Sequence, residues 1–295
     1  KPAQEDGGVG RPKKPLDINL KGLYVMGTHI SGENIMNLIL FNLNGKEVDR
    51  INFTIKNYEV ENIVNLLAEG VDNLISNHYQ IKEKMIGLGI GLSGIIDTEQ
   101  GICRYSESLG WSNVHLNSIL EDKIEFPFLF ERDVNALALA EHMKMGDDFD
   151  PLAVLMIEKG IGLGLVINGN VYSGHLGGAG EISHLIDFNY KNMRTDNFKE
   201  NQNLMKNVVN NTANLFKIIT ETYDPSLIVL SSNYKFEEGL QNSILNMYEE
   251  KLALPYEFQK KVVFRKHTKD NWGWGAASVV IHDFLNNQSY WEEMF

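Results

Sequence analysis

The chain has 295 residues, of which 43% are hydrophobic and 22% charged, and its formal net charge is -12 at pH 7. This length and composition are typical of a globular protein with room for two lobes, each with its own core. The negative charge argues against nucleic-acid binding through the general field of this chain. A single cysteine, Cys103, excludes an internal disulfide and any multi-cysteine zinc site.

The first residues of the chain favour a linker over a targeting or membrane segment. Residues 1–19 are rich in glycine, proline and charge, which is typical of loops. They lack the apolar region of a signal peptide, and no stretch of the sequence reaches the roughly 18 uninterrupted apolar residues of a membrane span. We therefore expect a cytoplasmic protein without a membrane partner. Because the chain begins at Lys1 and not at a methionine, we also expect that a segment precedes it.

The first half of the chain predicts an antiparallel meander followed by alternating helices and strands. Apolar and β-branched runs predict strands at residues 23–30, 35–43, 47–55, 85–92 and 126–130. Apolar residues at helical spacing predict helices from residue 60 onwards and over residues 135–145. Residues 93–97 are predicted to form a loop.

The second half of the chain repeats this plan. Strands are predicted at residues 152–157, 164–168, 225–230 and 262–264. Helices are predicted at residues 204–222, 239–252 and 275–285. The βββαβα order thus occurs twice, which indicates an α/β fold with a ligand cleft between two lobes.

A glycine-rich stretch near the middle of the chain is the strongest candidate for a ligand site. Its first run contains Gly160, Gly162 and Gly164, and such glycines expose backbone N–H groups that suit a phosphate or a sugar. A tight hairpin without a ligand explains this run at least as well. The second run ends in Glu181 and His184, which on a helix would share one face and offer hydrogen bonds to sugar hydroxyls. Surface residues at a helix start would have the same local sequence.

Six short motifs follow one another along the chain. They are GLSGIID at residues 91–97, LGW at 109–111, RDVN at 132–135, GIGLG at 160–164, GGAGEISH at 177–184 and GAA at 275–277. In this joint order they resemble the ROK family, which groups bacterial repressors with sugar kinases. The resemblance extends from residue 22 to the C-terminus.

The resemblance implies a two-lobed, actin-like ATPase or hexokinase fold, of the ribonuclease H-like type, with sugar and nucleotide in the cleft between the lobes. It implies an N-terminal lobe of residues 20–135, joined by a C-terminal helix at residues 275–290, and a C-terminal lobe of residues 136–274. Residues 7–12, GGVGRP, resemble the joint that follows a winged helix-turn-helix in the repressor branch. Residues 1–19 are then the remnant of a joint to a DNA-binding module.

The nucleotide half of the implied site departs from the kinases. Ile30 stands in place of the aspartate of their Asp-x-Gly-x-Thr phosphate turn and cannot bind magnesium, which demands oxygen ligands. Glu33 brings a like charge to the same turn. Glu158 stands where the kinases begin a Gly-Thr-Gly, and Ser231 and Ser232 replace the Gly-Gly beside the nucleotide base. We therefore expect no phosphate transfer and no cofactor, with Mg-ATP bound only if the chain is a divergent kinase.

The sugar half of the implied site is better kept. Asp133 matches the general base of the kinases, although the N-cap of the following helix explains it equally well. Arg132 replaces the asparagine of the family's Asn-Asp pair, so we expect it to pair with Asp133 or to take the place of a sugar contact. The resemblance also places Gly94, Ser106 and Glu107 at the ligand site. The last two are equally consistent with an exposed polar loop.

The resemblance assigns Glu181 and His184 to sugar contact. In many members of the family that histidine also binds zinc together with three cysteines. Residues 188–202 contain no cysteine here, so zinc is not expected and the predicted site has no metal. The same change removes a further sugar-contacting glutamate, which makes an ordinary hexose a doubtful ligand.

Three functions are consistent with these residues. The leading hypothesis is the sugar-sensing and oligomerising domain of a ROK-type repressor, a homodimer or tetramer that reaches DNA only through a missing N-terminal module. The alternative is a divergent kinase that transfers phosphate from ATP to a hexose hydroxyl with Asp133 as base. The third is a ligand-free remnant that only dimerises.

Overall fold

The structure is a computed structural model that describes residues 22–158, 160–185, 201–253 and 261–287. The predicted linker at residues 1–19 lies outside the described residues, as does most of the cysteine-free segment discussed above.

The elements of the first half are, in chain order, β1 (Tyr24–Ile30), β2 (Ile35–Asn42), β3 (Glu47–Thr54), α1 (Val60–Asn77), β4 (Met85–Leu92), β5 (Ile95–Asp97), β6 (Ile102–Ser106), β7 (Trp111–His115), α2 (Leu116–Leu120), β8 (Phe128–Arg132) and α3 (Asp133–Met145). Those of the second half are β9 (Leu152–Ile157), β10 (Ile161–Ile167), β11 (Asn170–Val171), α4 (Gln202–Tyr223), β12 (Leu227–Ser232), α5 (Glu238–Lys251), β13 (Lys261–Lys266) and α6 (Lys269–Asn286).

Two five-stranded sheets share one topology. The first has the strand order β3-β2-β1-β4-β8, and the second has the order β11-β10-β9-β12-β13. In the first sheet β1, β4 and β8 run parallel, and in the second β9, β12 and β13 do so. The predicted repetition of the βββαβα order is therefore confirmed. A small antiparallel sheet, β5-β6-β7, is inserted between β4 and β8, so the prediction of a loop at residues 93–97 is wrong for the three residues of β5.

Each large sheet is enclosed between helices. α1 packs on one face of the first sheet through Ile63, Leu67 and Leu74, and α6 covers the other face through Ala277 and Val280. In the second sheet, α4 and α5 pack on one face and α3 on the other. α3 and α6 therefore contact each other between the two sheets. No helix in the described part of the chain is long and apolar enough to cross a membrane.

Glycines set how closely the two central helices approach the sheets. A Cβ added to Gly89 of β4 would lie 1.9 Å from the carbonyl oxygen of Ala276 in α6. In β10, a Cβ added to Gly164 would lie 2.4 Å from the carbonyl oxygen of Val134 in α3. Any larger residue would force helix and strand apart. The glycines that dilute these strands therefore have a packing role that requires no ligand.

Two helices begin earlier than predicted. α6 begins at Lys269 and not near residue 275 because a capping box between Thr268 and Asn271 starts it. Its early turns contain Gly273 and Gly275, whose low helix propensity conceals the helix in the sequence. The predicted start of α3 at residue 135 is likewise two residues late, since the helix begins directly after β8.

We expect Gly89→Ala to lower the free energy of unfolding by about 1–3 kcal/mol because its methyl group would overlap the α6 backbone. Urea unfolding measures this change. Gly239→Ala in α5 is the matched control, since a Cβ there meets nothing within 4 Å and we expect its stability to stay the same or to rise by up to about 1 kcal/mol, because alanine has the higher helix propensity. Equal unfolding midpoints for the two variants would contradict this role of Gly89.

Candidate functional site

The candidate site lies beyond the carboxyl ends of the parallel strands. Leu92 at the end of β4 pairs with both Ile30 of β1 and Arg132 of β8, so these three strands end at one edge. β9, β12 and β13 end together in the same way. In open α/β sheets, ligands bind beyond these ends. The contacts described below show that the two edges face each other across a cleft.

Asp133 is the first residue of α3 and points its carboxylate to the cleft end of the helix. Its Oδ1 accepts a hydrogen bond from Val134 N at 2.7 Å, and its Oδ2 lies 3.3 Å from His29 Nε2. The N-cap position is taken by Arg132, whose side chain makes no capping bond. Asp133 therefore does not cap the helix from the N-cap position.

Arg132 turns away from Asp133 and reaches the second lobe. It is 3% exposed, and its guanidinium donates to the carbonyl oxygen of Ala179 at 2.5 Å. The same group pairs with Glu181 Oε1 at 2.8 Å. Arg132 was expected to pair with Asp133 or to take the place of a sugar contact. Its guanidinium pairs with Glu181 and not with Asp133.

The loop that carries Glu181 depends on two glycines in the left-handed region. Gly180 has a φ of 83°, and a Cβ there would lie 1.9 Å from the carbonyl oxygen of Leu163 in β10. Gly177 has a φ of 75°, and its Cβ would lie 2.1 Å from the carbonyl oxygen of Ile96 in β5. No side chain fits at either position without moving the backbone. The loop thereby touches both lobes and brings Glu181 to Arg132.

His184 belongs to a short 3-10 turn, Ser183–Leu185, and its side chain lies outside the described residues. The expectation that Glu181 and His184 share the face of a helix is wrong, because this turn begins only after Glu181.

The remaining predicted residues of the first lobe lie beside the end of β4. Gly94 packs against β6, where an added Cβ would lie 2.2 Å from the carbonyl oxygen of Tyr105. Ser106 is buried, with its Oγ 3.4 Å from Ser108 Oγ. Glu107 is exposed in the turn that follows. Gly94 and Ser106 are thus brought together near the Arg132 end of the sheet, whereas Glu107 lies on the surface.

An aromatic cluster that the sequence did not indicate begins directly beside Asp133, whose Oδ2 lies 3.3 Å from His29 Nε2, and forms the aromatic end of the cleft. The His29 ring stacks on Trp272 of α6 with centroids 4.7 Å apart, and His267 meets the same indole edge-on at 4.3 Å. Trp272 is 8% exposed and His267 is 3% exposed. We call His29, Trp272 and His267 the aromatic plug. His267 and Trp272 are five residues apart, but His29 comes from the opposite end of the chain, so no local sequence pattern could group the three.

Burial lowers the pKa of His267 to about 4, and the nearby His29 acts in the same direction. His267 is therefore neutral at pH 7. Its Nδ1 lies 3.4 Å from Ser231 Oγ, and its backbone N–H donates to the carbonyl oxygen of Ser232 at 2.6 Å. The two serines expected at the nucleotide base are buried and bonded to the aromatic plug.

The expected phosphate turns have structural roles. Ile30 is buried in the core of the first lobe. Glu33 pairs with Lys269 of α6 at 2.7 Å, so the negative charge expected to repel a phosphate is offset by a neighbouring cation. Gly160 lies in the turn between β9 and β10, where its carbonyl oxygen accepts from Glu158 N at 3.0 Å. Gly162 and Gly164, by contrast, lie within β10 beneath α3.

Glu131 is a buried carboxyl group next to the predicted site residues. Its Oε1 accepts hydrogen bonds from Arg132 N at 2.8 Å and from Asn135 Nδ2 at 3.0 Å. Burial raises the pKa of Glu131 to about 7. A charged residue within the apolar run FLFER was the available signal for this group, but it was not recognised.

The described ranges contain no group of three or more His, Cys, Asp or Glu side chains that could hold a metal ion. Cys103 is buried in β6, and burial raises the pKa of its thiol to about 11. Its thiolate is therefore scarce at neutral pH, which is typical of a structural cysteine.

The fold and the motifs around the cleft define a two-lobed, actin-like protein of the sugar kinase and repressor type. The sequence profile of the ROK family matches residues 26–193, more than half of the chain. The chain belongs to the ROK family.

Similar proteins include both enzymes and repressors. A glucokinase of Halalkalibacterium halodurans is 33% identical over 120 residues, which cover 40% of this chain and 36% of that protein. A putative xylose repressor of Caldicellulosiruptor sp. is 32% identical over 183 residues, which cover 61% of this chain and 46% of the repressor. The chain spans less than half the length of either relative. The ROK hexokinase of Thermus thermophilus superposes with a TM-score of 0.73 at 18% identity, over 90% of this chain and 100% of that one, which shows a common fold.

The pKa of Glu131 gives the stability a pH dependence. Because the carboxyl group has a pKa of about 7 in the folded chain and an ordinary value of 4.5, the folded chain binds more protons between these values. The stability that Glu131 contributes is therefore lost as the pH rises through this window. We expect Glu131→Gln to gain about 3 kcal/mol relative to the wild type between pH 4.5 and pH 7.5.

Urea unfolding at several pH values measures this difference. The control is Glu250→Gln on the exposed face of α5, for which we expect a constant difference from the wild type. A constant difference for Glu131→Gln as well would show that the buried carboxyl group does not titrate in this range.

Proposed function

We propose that this chain is the sugar-sensing and oligomerising part of a ROK-family transcriptional regulator and binds a sugar or sugar derivative without phosphorylating it. The observation that carries the proposal is the aromatic plug. It occupies the cleft end where the ROK kinases are expected to hold the nucleotide. Repressors among the similar proteins support the regulatory half of the proposal.

The chemistry of the plugged end is unsuited to a metal-bound triphosphate. Ile30 offers no oxygen ligand for magnesium. The aromatic plug beside it consists of an indole and two imidazoles, and the carboxylate of Asp133 lies 3.3 Å from His29 Nε2. Trp272 contacts both histidines and is 8% exposed, so Mg-ATP would have to displace a buried indole. Glu33 is paired with Lys269, so charge repulsion does not oppose ATP binding at this turn. The buried aromatic plug and the missing oxygen ligand for magnesium oppose it.

The sugar end keeps groups that suit a polyhydroxyl ligand. The Asp133 carboxylate is 15% exposed, and an ionised carboxylate is a strong acceptor for a hydroxyl proton. Glu181 stands on the opposite wall with 36% of its side chain exposed. Two carboxylates on facing walls can each accept from a sugar hydroxyl, which links ligand binding to the separation of the lobes.

A change in lobe separation is the proposed output. In a dimer or tetramer, it would alter the distance between two attached DNA-reading modules, which must match the spacing of two half-sites. A coupling of about 1–3 kcal/mol between sugar and DNA is sufficient for such a switch. DNA contact would come from an attached DNA-binding module and not from these two lobes.

The second candidate is a divergent sugar kinase with Asp133 as general base. It is favoured by the identity of 33% with a glucokinase and by the position of Asp133 next to His29. This candidate requires the aromatic plug to open for Mg-ATP.

Thermal melting with sugars, each with and without Mg-ATP, distinguishes the two candidates. A ligand at a hundredfold its Kd adds about 2.7 kcal/mol of stability, so we expect one sugar to raise the Tm and Mg-ATP to leave it unchanged. Asp133→Ala should abolish the sugar shift, and Asp148→Ala, in an exposed turn, should retain it. A rise of the Tm with Mg-ATP would favour the kinase. The absence of a Tm shift with every carbohydrate would favour the third hypothesis, a ligand-free domain that only dimerises.

A further inference from the structure

One buried arginine crosses the cleft. Arg132 is the last residue of β8 and pairs with Leu92 of β4, so its backbone belongs to the first sheet. Its guanidinium lies against the opposite wall, where it contacts the carbonyl oxygens of Ala179 at 2.5 Å and Gly180 at 3.4 Å and pairs with Glu181 at 2.8 Å. Three acceptors of the second lobe are thus held by one side chain of the first.

The loop that receives the guanidinium is fixed to the second sheet and also touches the first lobe. Its Gly180 carbonyl oxygen accepts from Leu163 N of β10 at 3.1 Å. Three residues earlier, Gly177 packs against the backbone of Ile96 in β5. The Arg132 bridge therefore lies next to a backbone contact between the lobes, and the two contacts close the sugar end of the cleft together.

Burial makes the bridge resistant to opening. Arg132 is 3% exposed, and removing the loop would take its acceptors away. A buried charge that loses its partners is strongly destabilising. Its backbone is also held, since Arg132 N donates to the buried Glu131 carboxyl group at 2.8 Å. The two lobes are thus joined at this end of the cleft by contacts of the chain's own residues.

We propose that Arg132 is an internal latch that holds the lobes together through Glu181 and must release Glu181 when a polyhydroxyl ligand binds. The latch deepens the proposed function and rests on it for the identity of the ligand class. It predicts the direction of the switch: the ligand competes with the guanidinium for the Glu181 carboxylate and loosens the closed cleft. Arg132 is then a positioning residue that lowers the affinity for ordinary hexoses.

The conformational half of the proposal is tested on the ligand-free chain by small-angle X-ray scattering. We expect Arg132→Asn and Glu181→Gln each to increase the radius of gyration, because either change removes the ion pair. Arg265→Asn is the matched control. Arg265 of β13 pairs with Glu141 of α3 at 3.6 Å, and we expect the radius of gyration of this variant to equal that of the wild type. A radius of gyration that is unchanged in both Arg132→Asn and Glu181→Gln overturns the latch. If Arg132→Asn does not fold, the radius of Glu181→Gln alone decides.

The ligand half is tested by titration calorimetry with glucose, xylose and N-acetylglucosamine. We expect Arg132→Asn to bind one of them with about a tenfold lower Kd than the wild type, equivalent to about 1.4 kcal/mol. We expect Glu181→Gln to bind it more weakly. If Arg132 has only a structural role, Arg132→Asn will lower the Tm and weaken sugar binding. That result overturns the latch. If no protein binds any of the sugars, the proposed function fails, and the scattering result still decides whether the latch exists.

Discussion

The close packing of α3 and α6 between the two sheets is the constraint on which the rest of the structure depends. Glycines in β4 and β10 allow the helix backbones to approach within contact distance of the strands. Both helices begin at the cleft, so this packing places Asp133, the first residue of α3, and Trp272, in the first turn of α6, on the same side of the molecule. One sterically enforced arrangement therefore determines both the polar end and the aromatic end of the cleft.

The two ends of the cleft differ in physical character, and this difference is the basis of the functional proposal. At the proposed sugar end, the charged groups are paired with each other, since Arg132 forms an ion pair with Glu181. At the other end, the aromatic plug replaces the oxygen ligands and open space that a nucleotide requires. The cleft is thus closed by an ion pair at one end and by ring stacking at the other. At the ion pair, a ligand from solvent can compete with Arg132 for the Glu181 carboxylate, whose side chain is 36% exposed.

Local patterns predicted most of the fold, whereas the site depended on contacts that no local pattern contains. β4 and β9 were predicted at their observed bounds because uninterrupted apolar runs define buried strands. The start of α6 was missed because glycines near Trp272 lower helix propensity, and tertiary packing overrides it. The motifs indicated Asp133 and Glu181, but the partner of Arg132 could not be predicted, since it lies on the other lobe. The aromatic plug was missed for the same reason.

An assay of sugar-dependent ADP release tests most directly the proposal that this cleft transfers no phosphate to a sugar. The chain would be incubated with Mg-ATP and each of glucose, xylose and N-acetylglucosamine, beside Asp133→Ala. We expect the same ADP release with and without sugar, and no difference between the wild type and Asp133→Ala. ADP release that requires a sugar and exceeds that of Asp133→Ala would contradict the account and identify the chain as a kinase.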